Sequence, residues 1–321
     1  MKNTAHKTRV LPVFGALLFS TMMVAVAAAA ADDNDPPLTE YLSAEDPPAF
    51  DTPEQAVEAF KSTIIGGDFD RLTQLLGLDA AKAKASDGAR DNYAKIQAGV
   101  KEKVVLAEDQ DGGKVLEIGN QLWPLPFPLV RMDDGKWVFD TYAGLEEIAD
   151  RRVGENELAT IATMRFYVDA QEDYASRDRD DDGVLEYAQK LISTEGQHDG
   201  LYWPDEQGDG DESPAGSGLM EGSALEDAKA GLGYNGYHYR ILTGQGDNVA
   251  GGKFDYAING NMIAGFGLVA WPAKYGITGV KTFVVNKSGI VYEADLGDES
   301  ATLGEQIRTF NPSDQWVIVQ E

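Results

Sequence analysis

Cysteine is absent from all 321 residues, and histidine occurs only three times. The first absence excludes disulfides and thiolate metal sites, so stability must come from packed cores and any bound cation. His6 lies in the amino-terminal signal segment described below, and His198 and His238 are far apart, so a typical zinc site is not expected. Basic residues are also scarce. Lys and Arg number 27 against 54 Asp and Glu, for a net charge of −27. Such a surface repels nucleic acid and anionic lipid, and it attracts cations or basic partners. After residue 26 no apolar run is long enough to span a bilayer. The Gly-rich stretch at 244–252 lacks the Lys-Ser/Thr ending of a phosphate cradle and reads as a loop.

What is present begins with Lys2, Lys7 and Arg9, an apolar run over 10–26, and five alanines before Asp32. A basic start, an apolar centre and a small-residue end predict a secretory signal peptide at 1–31, cleaved after Ala31. No cysteine follows that could be lipidated. The processed chain is expected in the periplasm or outside the cell, with no stable membrane span. All 54 acidic residues follow Ala31, so cleavage makes the chain more acidic still.

Residues 32–49 hold four prolines and six carboxylates and read as a flexible acidic leader. A first α+β domain is expected over 50–141. Asp51 or Thr52 caps a helix there, Pro53 takes its first position, and Ala56, Val57, Phe60 and Ile64 face inward. Gly66 and Gly67 end it. A short second helix carries Phe69, Leu72, Leu75 and Leu76. Strands are expected at 104–106, 114–118, 127–132 and 137–140, the last two a hairpin across the turn at 133–135. A connecting helix follows at 142–153, and Gly154 should break it. The next helix starts at Glu155, with Leu158, Ile161, Ala162 and Phe166 as its apolar band. Tyr167 and Tyr174 widen that band, so this helix can touch both halves. A short helix is read at 219–230. The remainder, within a second domain spanning 154–321, alternates as an antiparallel meander that one helix would cover.

One motif carries chemistry. Asp178, Asp180 and Asp182 alternate, and Gly183 follows. These match positions 1, 3, 5 and 6 of a calcium loop, with the Val184 carbonyl at position 7 and apolar Leu185 at position 8. Position 12 is Gln189 rather than a bidentate Glu, so the loop is not a full EF-hand, and Glu186 supplies the late ligand instead. The competing reading is a solvated acidic turn. Asp205, Asp209, Asp211 and Glu212 form a second acidic group in a Gly- and Ser-rich loop. Ser213 and Ser217 lie in the same loop without the strand-to-helix setting of a nucleophile. Trp203, Trp271 and Tyr275 offer an aromatic face for a sugar, against a core reading.

Three resemblances follow. The sequences at 123–130 (Trp-Pro-Leu-Pro-Phe-Pro-Leu-Val), 139–144, 151–158, 167–171, 200–204 (Gly-Leu-Tyr-Trp-Pro), 239–246 (Tyr-Arg-Ile-Leu-Thr-Gly-Gln-Gly), 266–273 and 310–312 (Phe-Asn-Pro) resemble a family of exported bacterial proteins known as domain of unknown function 2950. That resemblance implies no activity. The first half, helices followed by a hairpin ending at Phe139, resembles the nuclear-transport-factor-2-like cone. The second half resembles the globular part of type IV pilin and pseudopilin proteins, through Asn156 to Arg165, the Asp-x-Asp-x-Asp-Gly loop, and the strand from Gly279 to Tyr292. Some pilins bind calcium. The segment before Glu155 is charged, however, so the membrane-inserted half of a pilin is missing.

The expectation is therefore an α+β chain of two domains, a cone-like helix-plus-curved-sheet module and a pilin-like helix on an antiparallel sheet. Its function is read as an exported, non-catalytic binding or scaffolding protein of the bacterial envelope. The metal set is Asp178, Asp180, Asp182, Val184 and Glu186, with calcium as the cation and an envelope protein as the partner. The alternatives are a soluble periplasmic ligand-binding protein and a hydrolase with an unrecognised site. No catalytic residue can be named.

Overall fold

The chain opens with helices because its capping chemistry is in place. In the computed structural model, which describes residues 38–108, 112–179, 182–204, 212–216 and 233–320, Thr52 caps α1 (Pro53–Gly66) by accepting from the Gln55 N–H. Pro53 sits at the start, and Gly67 closes the helix in the left-handed region at φ 70°. Asp68, Asp79 and Ser86 cap α2 (Phe69–Leu75), α3 (Ala80–Ala85) and α4 (Asp87–Glu102) in the same way. The helix α3 had no counterpart in the sequence reading.

Five strands complete this half: β1 (Val104–Glu108), β2 (Lys114–Ile118), β3 (Trp123–Pro124), β4 (Leu129–Arg131) and β5 (Trp137–Phe139). They form one antiparallel sheet in the order β1-β2-β4-β5, with β3 also on β2. Ala56, Phe60, Ile64, Leu116, Leu129 and Phe139 are fully buried between sheet and helices. The leader expected at 32–49 is not loose over its described part. Ser43 N–H donates to the Gly77 carbonyl, Asp79 N–H to Tyr41, and Phe50 exchanges both backbone bonds with Trp137. Residues 1–37, including the whole expected signal peptide, lie outside the described residues.

The next element corrects the sequence reading. A single helix, α5 (Thr141–Tyr174), runs through Gly154 for 34 residues. An interior glycine costs a helix only about 1 kcal/mol, and packing on both sides of this one outweighs that. On its N-terminal side, the Thr141 hydroxyl donates to the Leu76 carbonyl and Gly144 lies against the Phe127 ring, where a methyl group would overlap it. On its C-terminal side, Met164, Tyr167, Ala170 and Tyr174 enter a second hydrophobic cluster.

The second half contains β6 (Tyr237–Leu242), the two-residue strands β7 (Gly244–Gln245), β8 (Phe254–Asp255), β9 (Ala257–Ile258) and β10 (Asn261–Met262), then β11 (Gly267–Pro272), β12 (Lys281–Asn286), β13 (Tyr292–Asp295), a short helix α6 (Ser300–Gln306), and β14 (Val317–Ile318). The main sheet is antiparallel in the order β14-β13-β12-β11-β6. Asn259 and Gly260 both have positive φ, as a tight hairpin turn requires between β9 and β10. The helix expected at 219–230 lies outside the described residues.

A sheet with one covered face was expected, but both faces are covered. Every residue of β11 is buried. Leu268 and Ala270, with Phe283 and Val285 of β12, face α5. Val269, Trp271 and Val284 point the other way and pack with Phe310, Ile307 and Trp316 of the C-terminal segment. Mixed helices and antiparallel sheets place the chain in the α+β class, and no helix among the described residues is long and apolar enough to cross a membrane.

Candidate functional site

The acidic loop leaves α5 at Ala175 and docks on the β9–β10 hairpin. Asp178 accepts from the Gly183 N–H at 2.9 Å, and Gly183 needs its glycine because φ is 88°. One oxygen of Asp182 accepts from the Val184 N–H at 2.7 Å and the other from the Asn261 side chain at 2.8 Å. Glu186 is buried, and its carboxylate accepts from the Met262 N–H at 2.7 Å. Tyr187 N–H in turn donates to the Met262 carbonyl. Asp180 lies outside the described residues, so the full set of Asp178, Asp180, Asp182, Val184 and Glu186 cannot be placed together. The described donors are all oxygen, as calcium requires. Several of those oxygens are already engaged by N–H groups. Among the described residues no group of three acidic, His or Cys side chains is placed to hold a metal ion.

Above this loop, α5 meets the sheet through polar groups. Asn156 donates to the Thr278 carbonyl at 2.9 Å, while one oxygen of Glu157 accepts from the N–H groups of Val280 and Lys281, both at 2.9 Å. Tyr239 donates to the Thr160 hydroxyl. Tyr167, fully buried, donates to the Gly267 carbonyl at 3.0 Å. Gln171 is also fully buried. It donates to Tyr167 Oη and the Ala188 carbonyl and accepts from the Ala188 N–H. Burial pushes the phenols of Tyr167, Tyr237 and Tyr239 far up, so these groups are hydrogen-bonding fixtures rather than proton donors in solution. Glu293 on β13 is raised by partial burial, with Lys281 opposing and Glu157 adding to the shift.

The remaining sequence candidates do not converge. His198 stacks on Trp203 at 4.3 Å, whereas His238 lies against Trp271 on the opposite face of the sheet. Trp203 and Trp271 are 6% and 4% exposed and belong to different clusters, so they form no aromatic face with Tyr275. The Tyr275 hydroxyl donates to Asp295. Ser213 accepts from the Gly216 N–H and makes a turn. Ser217, Asp205, Asp209 and Asp211 lie outside the described residues.

One feature on the outer face of the sheet was missed. A cleft of about 300 Å³ opens beside Val284, under the segment that runs from Gln306 to Trp316. Its neighbourhood holds two guanidiniums, Arg240 and Arg308, which both donate to the Glu305 carbonyl at the end of α6. The distant stretches around Gln245 and Phe310 meet beside it. Gly246 N–H donates to the Phe310 carbonyl, and Phe310 N–H to Gly244. Arg240 and Phe310 both fall in stretches that carried the family resemblance, the one signal that pointed here.

No curated protein and no solved structure matches the chain. Residues 48–319 match the family described as "Protein of unknown function (DUF2950)". That span takes in both sheets, the shared helix α5, the acidic loop and the outer cleft, and the chain belongs to this family of proteins of unknown function.

Proposed function

We propose that the chain is an exported, non-catalytic binding or scaffolding protein of the bacterial cell envelope. The supporting observation is α5. A helix of 34 residues is about 50 Å long at 1.5 Å per residue. It packs on the first cluster through Ile148, with Leu145 buried beside it in sequence, and enters the second through Met164 and Tyr167. A strut of that kind fixes the spacing of two surfaces. In this reading the first sheet and its helices form a cone-like module, the second sheet with α5 forms a pilin-like module, and the signal peptide at 1–31 is removed on export to the periplasm or beyond. Tyr142 and Leu158, 66% and 69% exposed on α5, offer the contact for an envelope protein. Photoreactive residues at these two positions should each give a discrete adduct in intact envelopes, and the exported chain should have the mass of a protein starting at Asp32. A chain that stays in the cytoplasm with residues 1–31 attached, or that crosslinks at neither position, overturns the reading.

Calcium completes this proposal, held by Asp178, Asp180, Asp182, the Val184 carbonyl and Glu186. The loop sits at the negative end of the α5 dipole, where clustered carboxylates are unfavourable without a cation. Gln189 at position 12 argues for weak binding, on the order of 10⁻⁴–10⁻³ M. Binding to the folded state alone adds about 2.7 kcal/mol when calcium is ~100 times the dissociation constant. Thermal unfolding in calcium against a chelator should show the shift, and Asp180→Ala with Asp182→Ala should abolish it. Equal shifts in both proteins would leave a solvated turn.

A further inference from the structure

The outer cleft differs in charge from the rest of the chain. Acidic residues outnumber basic ones two to one overall, 54 to 27, yet among the described residues no carboxylate lines this cleft. What lines it is a row of hydrogen-bond donors beside apolar surface. Arg308 is exposed there, with Gln306, Thr309 and Asn311 around it. Ile307, Pro312 and the Trp316 indole supply the apolar part.

The bland account is that the two arginines merely cap α6. Each does donate to the Glu305 carbonyl through one nitrogen, Nη1. A guanidinium carries five N–H donors. Among the described residues, the Nε and Nη2 groups of Arg240 and Arg308 make no hydrogen bond, and neither side chain makes an ion pair. Capping a helix end also needs only one cation. The second brings like charge close to the first: partial burial and then the Arg308 charge disfavour the charged form of Arg240, and the Glu305 carboxylate offsets only part of this. Arg240 does not line the cleft itself but rests on the Trp271 ring at 5.0 Å and shares the Glu305 carbonyl with Arg308. Asn311 has its carbonyl oxygen engaged by the Asn248 N–H at 2.9 Å, which turns the amide into a one-sided donor. Two cations, a one-sided amide donor and an indole describe a receptor for an anion with a carbon skeleton.

We propose that this cleft binds a small organic carboxylate, with its charged end on Arg308 backed by Arg240 and its ring or chain against Trp316. The proposal goes beyond the scaffold reading, and the two can fail separately, because the crosslinking positions lie on α5 and the cleft lies across the sheet.

The test follows the Trp316 indole N–H by NMR, assigned with Trp316→Phe, in the full exported chain. Benzoate and glucuronate are the charged probes, benzyl alcohol and glucose their neutral counterparts, and inorganic phosphate the bare anion. At least one carboxylate should shift the resonance saturably, and its neutral counterpart should not. The responding carboxylate tells an aromatic acid from a sugar acid. Arg308→Gln should weaken binding by roughly tenfold or more, as loss of a charged hydrogen-bonded pair does. Arg308→Lys, which keeps the charge and loses the fork, should fall between. It also serves if Arg308→Gln fails to fold. Equal shifts from neutral probes, a response to phosphate alone, no response to any probe, or unchanged affinity in a folded Arg308 variant would each overturn the proposal.

Discussion

Helix α1 buries Ala56, Phe60 and Ile64 completely, whereas the second half of α5 buries Asn156, Thr160 and Gln171 just as deeply. Both helices cover a sheet, but they are held differently. Apolar burial is non-directional and roughly proportional to area, so the α1 face tolerates small shifts. The α5 face aims each group at a named backbone atom: Asn156 at Thr278, Glu157 at Val280 and Lys281, Tyr167 at Gly267, Gln171 at Ala188. A shift of one residue would strand all of them. The first helix is therefore fixed in depth and the second in register.

Deleting one side chain from each helix should separate the two cases. Phe60→Ala empties a fully buried site packed on Phe139, with ring centroids 6.1 Å apart. It should cost about 3–5 kcal/mol, as large-to-small changes in cores do. Gln171→Leu keeps the volume but leaves the Ala188 N–H and carbonyl without their partners. It should cost about 2–4 kcal/mol from the desolvated groups left behind. Urea unfolding measures both. If Gln171→Leu is neutral, register is not what the α5 face contributes, and the contrast with α1 disappears.

The same contrast explains what could be read from the sequence. Where burial was apolar and periodic, the reading held: Thr52 and Pro53 start α1, and Ala56, Phe60 and Ile64 face inward. Strand β2 lies at the expected residues 114–118. On α5 the periodicity misled. Leu158, placed in the apolar band, is 69% exposed. The buried stripe runs through Asn156, Thr160, Met164, Tyr167, Gln171 and Tyr174, spaced by three or four residues. A polar residue with a partner far away in the chain has no local signature, so Asn156, Thr160 and Gln171 went unread, although Tyr167 and Tyr174 of the same stripe were read as widening the band. The outer cleft was hidden for a related reason. It depends on a sheet whose second face is covered, and β11 reads as a short apolar run from either side. The acidic loop was legible as a motif, but its docking through Glu186 on Met262 was not.

Gly154 offers a smaller test on the same helix. Apart from its own turn of helix, no atom lies within 4 Å of where its methyl group would go, and its φ is not positive. Gly154→Ala should therefore stabilise the protein by about 0.5–1 kcal/mol, the usual difference inside a helix. Thermal or urea unfolding measures it. A loss of stability would mean that α5 bends at this point and that the two clusters are not held on one straight strut.

The smallest expected effect is electrostatic, and it belongs to the α5 side of the comparison alone. Glu293 stands opposite Phe283 in the ladder and so faces α5. Partial burial raises its carboxyl above the usual 4.5, the Lys281 ammonium opposes this, and the Glu157 carboxylate adds to it. Tyr237, whose hydroxyl donates to the Lys281 carbonyl, feels both glutamates. The folded chain thus holds this proton more tightly than the unfolded chain does. A group raised on folding contributes stability that is complete below its unfolded value and lost as pH rises through its folded value. Wild type should therefore lose stability relative to Glu293→Gln as the pH is raised from just below 4.5 through the folded value. Urea midpoints of the two proteins across that window measure the difference. A constant gap would place Glu293 in open solvent. It would also leave the α5 contact resting on its neutral hydrogen bonds and on the Glu157 oxygen that accepts from two backbone N–H groups.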